Sequence, residues 1–299
     1  MKNKKIVTIL LFFTLIFTSF SAFLSTDQAS AATPSFLMDT KKIYTHSIQY
    51  DNSKKKQVLM TVSFTGEMNK GHLWNYQGRD FFSNQLIIQN NESLTISDPF
   101  NNESSKELVF PLTVGKTWDN GDGDKFKILS LNTSVKTEAG TFNTVAVDNG
   151  ADNGISYYAP GVGLVKYRDN TGFTQELTKI SNAHYGRVLI KQTGIKQYTP
   201  KGAVHKTLKK GEALKVFKEN ADSYDVGNGY YVKKEKNTLF FTGTIYGTEA
   251  PLSVYSPNGK LFKKFAIDEP VRAYGFKDGK FQVGGGYYVP AADHILYER

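Results

Sequence analysis

The stretch Val226-Gly227-Asn228-Gly229-Tyr230-Tyr231-Val232 returns 57 residues later as Val283-Gly284-Gly285-Gly286-Tyr287-Tyr288-Val289. Around it Tyr198, Pro200, Gly202, Lys206, Glu212 and Leu239 recur as Tyr255, Pro257, Gly259, Lys263, Glu269 and Leu296, always at that offset. The frame never slips, so the last part of the chain divides into two equal units, 186–242 and 243–299. A small module in tandem points to binding: duplication multiplies effective concentration on a polymeric target, whereas a catalytic centre gains little from a copy beside it.

Each unit reads as all-β. In the first, residues 196–198, 204–208, 214–217, 224–226 and 230–232 are short strand-like runs, with turn formers at Pro200-Lys201-Gly202, at 220–223 and at Gly227-Asn228-Gly229. In the second, Pro257-Asn258-Gly259 carries an Asn-Gly pair, both of whose residues tolerate positive φ. So short a unit buries little, and a few aromatics are expected to dominate a compact barrel-like core. Tyr230 and Tyr231 are neighbours, so a strand sends them to opposite faces, one inward and one outward. The outer ring, and Tyr287 or Tyr288 in the copy, is then placed to stack on a sugar.

The net charge of +9 is uneven: residues 1–31 carry +2, residues 32–185 carry −1 and residues 186–299 carry +8. The first unit holds +7 and the second +1. Lys201, Lys206, Lys209, Lys210, Lys215 and Lys218 fall close together, a density suited to attraction towards phosphate. Outside a bacterial cell the abundant polyanions are teichoic polymers. Nucleic acid is not expected as a partner, because ribonucleoprotein motifs, zinc spacings and basic helices are absent from the sequence.

Lys2, Lys4 and Lys5, an apolar stretch over 6–23 and Ala29-Ser30-Ala31 together read as a secretory signal cleaved after Ala31. No second long apolar run follows, so no membrane-spanning segment is expected in the mature chain. Cysteine is absent, which excludes disulfides and a lipobox and fits secretion where oxidative folding is not used, as in many Gram-positive bacteria.

Residues 32–184 also alternate as β-strands, at 59–64, 86–89, 108–114, 126–131, 142–147, 155–158 and 164–167. The five histidines are scattered without metal-ligand spacing, and a serine nucleophile elbow is missing. Asp119-Asn120-Gly121-Asp122-Gly123-Asp124 offers oxygens to Ca²⁺, yet Lys125 stands where the loop requires glycine and Leu131 where it requires glutamate; a polar hairpin tip is the better reading. Glu67 and Asp80 beside Trp74 and Tyr76 form an imaginable glycosidase pair with stacking platforms, with nothing in the sequence to set their separation. No enzyme, cofactor or metal is expected.

The run Val254-Tyr255-Ser256-Pro257-Asn258-Gly259-Lys260, then Lys263-Lys264, Pro270 to Tyr274, and Gly279-Lys280-Phe281-Gln282-Val283 through Tyr287-Tyr288-Val289 resembles the C-terminal cell-wall-binding repeat of lactobacillus surface-layer proteins. The first unit matches the same frame through Tyr198, Gly202, Lys209-Lys210-Gly211, Val216-Phe217, Tyr224, Val226-Gly227 and Tyr230 to Val232. The resemblance implies tandem SH3-like β-barrels that tether a protein non-covalently to wall polymer. In the N-terminal part, Thr137-Glu138-Ala139-Gly140-Thr141-Phe142 followed by Tyr157-Tyr158-Ala159-Pro160-Gly161 is similar to a β element of secreted bacterial proteins and lipoproteins of unassigned function.

The expected organisation is thus a signal peptide (1–31), an antiparallel β domain of unknown task (32–184) and two SH3-like repeats (185–242 and 243–299). The expected function is that of a secreted protein held on teichoic or lipoteichoic acid at the surface of a Gram-positive bacterium. Self-association on that surface is compatible with the sequence. The candidate polymer-binding residues are Lys201, Lys206, Lys209, Lys210, Lys215, Tyr230, Tyr231, Lys233, Lys234, Lys263, Lys264, Arg272, Tyr287 and Tyr288. The alternatives are a ligand-binding or inhibitory N-terminal domain that the repeats merely anchor, and a wall hydrolase.

Overall fold

The structure, a computed structural model, describes residues 33–50, 57–150 and 154–299; the signal-peptide reading of 1–31 lies outside them. Among the described residues the chain is all-β, its paired strands are antiparallel, and Thr33–Arg299 forms one compact body. No helix there is long and apolar enough to cross a membrane.

The N-terminal part consists of β1 (Lys42–Gln49), β2 (Val58–Met68), β3 (Gly71–Gln77), β4 (Phe82–Gln89), β5 (Ser93–Asp98), β6 (Glu103–Val109), β7 (Thr117–Asp119), β8 (Lys125–Thr137), β9 (Gly140–Asp148), β10 (Ile155–Ala159), β11 (Gly163–Arg168) and β12 (Thr174–Asn182). They make one twelve-stranded sheet in the order β6-β5-β4-β3-β2-β1-β12-β11-β10-β9-β8-β7. The two edges, β6 and β7, are consecutive in sequence and meet again: Lys106 N donates to Asn120 O and Trp118 Nε1 donates to Lys106 O, each at 2.7 Å. The sheet therefore curls into a nearly closed barrel, which removes most of its exposed edge.

Alternation explains the filling. Val62, Trp74, Leu108, Ile128, Val147, Val165 and Leu177 point inward and are fully buried, each burial worth about 1.5–3 kcal/mol. The strand expected over 108–114 stops instead at Val109, because Pro111 has no N–H to continue the ladder. The acidic run after β7 is a hairpin tip leading to β8, in which Asn120 Oδ1 accepts from the backbone N–H of Asp122 and Asp124.

The first repeat unit contains β13 (Gly186–Ile190), β14 (Lys196–Tyr198), β15 (Val204–Thr207), β16 (Ala213–Val216), β17 (Lys218–Glu219), β18 (Ser223–Asp225), β19 (Tyr231–Lys233) and β20 (Thr238–Phe241). The second contains β21 (Gly243–Gly247), β22 (Leu252–Tyr255), β23 (Leu261–Phe265), β24 (Val271–Ala273), β25 (Gly275–Lys277), β26 (Lys280–Gly284), β27 (Tyr287–Pro290) and β28 (Ile295–Glu298). Their sheets match strand for strand: β16-β13-β20 with β15-β14-β19-β18-β17, and β24-β21-β28 with β23-β22-β27-β26-β25. The repeated sequence thus encodes a repeated topology. At its centre Gly227, Asn228 and Gly229 all take positive φ, as do Gly284, Gly285 and Gly286, a run that only glycine and asparagine enter readily. At the Pro257-Asn258-Gly259 turn, by contrast, only Gly259 is left-handed.

The cores are mostly aliphatic, contrary to expectation. Val188, Ile190, Ile195, Leu208, Val216 and Val232 fill the first unit beside two buried rings, Tyr224 and Phe241. Ile245, Leu252, Val254, Val271, Val289 and Ile295 fill the second beside Phe281 and Tyr297. Small branched side chains suit the narrow space between a three-stranded and a five-stranded sheet, and most of the rings are left outside.

The second unit has an apolar seat on the barrel. The cross-strand pairs Leu73↔Leu86 and Asn75↔Asn84 lie on the outer face of β3 and β4, opposite Trp74 and Ile87, and all four are buried. Asn84 Nδ2 donates to Ile295 O of β28 at 3.3 Å, and Asn75 Nδ2 donates to Asn84 Oδ1 at 3.2 Å. Beside them β2 bulges between Phe64 and Gly66, and Phe276 of β25 packs on Gly66. The first unit has Glu219 and Thr238 at the positions of Phe276 and Ile295.

Candidate polymer-binding faces

On β14 and β19 of the first unit, Gln197 pairs with Val232 and Tyr198 pairs with Tyr231. Val232 and Gln197 are buried, so the pleat turns Tyr198 and Tyr231 to the outer face. Their rings stack with centroids 5.2 Å apart and planes 17° from parallel, and Lys233 Nζ lies 5.2 Å from the Tyr198 ring centroid. The second unit repeats this: Tyr255 pairs with Tyr288, the rings stack at 5.8 Å, and a lysine again sits over a ring, here Lys280 at 4.5 Å from Tyr288.

The turns beside each stack are matched as well. A Cβ on Gly229 would come within 3.0 Å of Pro200 Cγ, and one on Gly286 within 3.0 Å of Pro257 Cγ. Glycine there lets the loop before β19 or β27 close against the proline that follows β14 or β22.

No tyrosine of the two tandem pairs is fully buried: in the second unit the pair divides as expected, Tyr288 facing outward and Tyr287, on the side of Val289, packing partly against the core, whereas in the first unit Tyr230 falls outside the strand. Tyr230 precedes β19 and meets His205 edge-on at 4.7 Å, while Tyr287 meets Phe262, the residue equivalent to His205, at 4.6 Å. All four tyrosines are half-buried. The inward position of the strand falls one residue later, at Val232 and Val289.

The lysines and the arginine proposed from the sequence do not form one patch. Lys201, Lys209 and Lys210 are exposed in turns, and Lys206 on β15 is exposed but 3.8 Å from Glu212. Lys215 on β16 pairs across the strand with Arg187. These two and Arg299 surround buried His184, whose pKa is lowered to about 4 mainly by burial; a hydrogen bond with the Arg299 backbone opposes this and the three positive charges add to it. Lys234 is tied to Glu219 at 2.7 Å, in a cleft of about 1000 Å³ between the barrel and the first unit. In the second unit Lys263 Nζ lies 3.9 Å from the Phe265 ring, Lys264 is exposed, and Arg272 lies over Phe241 of the first unit at 5.7 Å. Tyr198, Tyr255 and Lys280 belong to the faces and were missed as candidates. The 57-residue offset already marked the two tyrosines, whereas Lys280 arrives from a strand position that holds Ser223 in the first unit.

The imagined glycosidase pair comes apart. Glu67 pairs with His72 at one end of β3, and Asp80 lies beyond the other end, roughly 20 Å or more away at the rise of a strand. Trp74 between them is fully buried and offers no platform to a sugar. Among the described residues no group of three or more His, Cys, Asp or Glu side chains is placed to hold a metal ion.

No family model matches the chain, and no curated protein matches it. Solved structures similar to it include a Bacteroides fragilis protein of YmcC-like fold described as exported, at 13% identity and TM-score 0.36, covering 50% of this chain and 100% of that one. A Parabacteroides distasonis protein described as a lipoprotein has 12% identity and TM-score 0.35, covering 50% of this chain and 99% of its own. The CBD (cell-wall-binding domain) of endolysin LysPBC5 has 16% identity and TM-score 0.21, covering 39% of this chain and 96% of its own. Values this low carry no argument about fold or role.

Proposed function

We propose that the protein is a secreted, wall-associated binding protein, and not an enzyme, whose two C-terminal units hold it on anionic polymer of the teichoic type outside a Gram-positive cell. The observation that carries the reading is the duplication of a solvent-facing feature. A stacked tyrosine pair with a lysine over one ring is present on the outer sheet of both units, where burial does not require it. Rings present flat apolar area to sugar or glycerol backbones, and the ammonium groups attract phosphate. Two such faces on one body gain avidity on a repeating chain. The signal-like N-terminus and the absence of cysteine support an extracytoplasmic address.

The test is sedimentation of the full mature chain with purified cell walls. The chain pellets with native walls, stays in solution with walls stripped of teichoic acid, and is released by salt. Equal binding to stripped walls at high salt rejects the electrostatic reading.

A further inference from the structure

The N-terminal barrel encloses a cavity of about 400 Å³, within the size range of small-molecule sites. Met38, Met60, Ile87 and Leu94 give it apolar walls, Glu107 and Tyr158 line it as hydrogen-bonded partners, and His46 lies beside Met60 on the neighbouring strand. Glu107 is there because of a bulge. Leu94 pairs with Leu108 but Thr95 with Lys106, so Glu107 is the extra residue on β6 and turns inward beside fully buried Leu108. The surface Glu107 keeps exposed looks into the cavity.

An enclosed carboxyl requires compensation. Tyr158 Oη donates to Glu107 Oε2, and the Ser105 side chain adds a second hydrogen bond. Desolvation is the main cause that raises the Glu107 pKa, and the nearby charge of Asp122 acts in the same direction. No lysine or arginine is among the described residues lining the cavity. His46, 3% exposed, has no hydrogen-bond partner for Nδ1 among the described residues, and burial lowers its pKa to about 4, which keeps it neutral at pH 7. The cavity therefore has apolar walls and one acid, and no lysine or arginine among the described lining residues to receive an anionic head group.

We infer that the barrel binds a small amphiphile with an apolar body and an amine head, the ammonium seated against Glu107 and Tyr158. This stands apart from the wall-binding reading, since it concerns other residues and a soluble ligand. Charge complementarity decides the class: a carboxylate or phosphate head would meet the Glu107 carboxyl with no lysine or arginine among the described lining residues to offset it, whereas an ammonium is attracted to that carboxyl and favours its ionised form.

The experiment is calorimetric titration of the full mature chain at pH 7 with n-octylamine, 1-octanol and n-octanoate. Octylamine is expected to bind at least tenfold more tightly than octanol, and octanoate more weakly than both. Glu107→Gln, which keeps an acceptor for Tyr158, removes the amine preference at least tenfold and leaves octanol unchanged. Leu164→Phe, filling the cavity, weakens amine and alcohol alike. Binding of octanoate as tight as octylamine, no binding of any probe, or amine binding indifferent to both substitutions overturns the inference. The comparison of the three probes on the unsubstituted chain decides even where a variant fails to fold.

Discussion

Phe276 of the second unit occupies the space above Gly66 on the barrel: a Cβ on that glycine would lie 2.9 Å from Phe276 Cβ and closer still to the ring. Gly66→Ala therefore forces the two apart or strains the bulge, at about 1–3 kcal/mol. A lower thermal midpoint and faster proteolysis in residues 243–299 are expected. Phe276→Glu, which copies the first unit's Glu219, acts in the same direction on proteolysis without touching the bulge.

The two faces of β19 make opposite forecasts. Val232 is fully buried, so Val232→Ala costs about 1.5–3 kcal/mol in urea denaturation. Tyr231→Ala, on the outer face, costs about 1 kcal/mol or less through the lost ring stack, yet weakens wall sedimentation several-fold. A Tyr231→Ala chain that unfolds as readily as Val232→Ala would contradict the face assignment.

Replacing Lys201, Lys209 and Lys210 together by Gln lowers the salt sensitivity of wall binding more than replacing Lys263 and Lys264, because the first unit carries +7 and the second +1. Binding across a series of NaCl concentrations reads this directly.

Stability falls as pH drops from about 6.5 to about 4. His46 titrates at about 4 in the fold and near its ordinary 6.5 when unfolded, so between those values the unfolded chain binds the extra proton. The contribution is complete above 6.5 and amounts to about 3 kcal/mol at most; buried His184, also lowered to about 4, adds in the same window. Urea midpoints measured at pH 7.5 and pH 4.5 should differ, and His46→Gln should reduce the difference.

Much of the repeat was legible because its turns demand particular residues. Gly227-Asn228-Gly229 and its copy are left-handed in the structure, and the strands read around them are present. The first and last strands of the unit, β13 and β20, carried no comparable punctuation and were not read, although Gly186 and Gly243 open equivalent strands at the fixed offset. In the barrel β1, β3, β5, β7 and β12 escaped; in β1, for example, Lys-Ile-Tyr-Thr-His-Ser-Ile-Gln mixes polar residues onto both faces and only pairing shows which is inside. Glu107 gave no local sign, because a bulge is defined by the partner strand and not by the bulged residue. The docking of the second unit did leave a trace. Where two copies differ by Phe for Glu219 and Ile for Thr238, the copy that gained apolar groups is the one with a surface to cover.

One residue, Thr242, separates β20 from β21, and both its N–H and its hydroxyl donate to Ala273 O. With no slack between the copies and the second seated on the barrel, the tyrosine stacks cannot search independently as beads on a tether do. Under the proposed wall-binding function they would act as the fixed jaws of a caliper, so that a polymer strand would be gripped twice only where its own periodicity spans the gap.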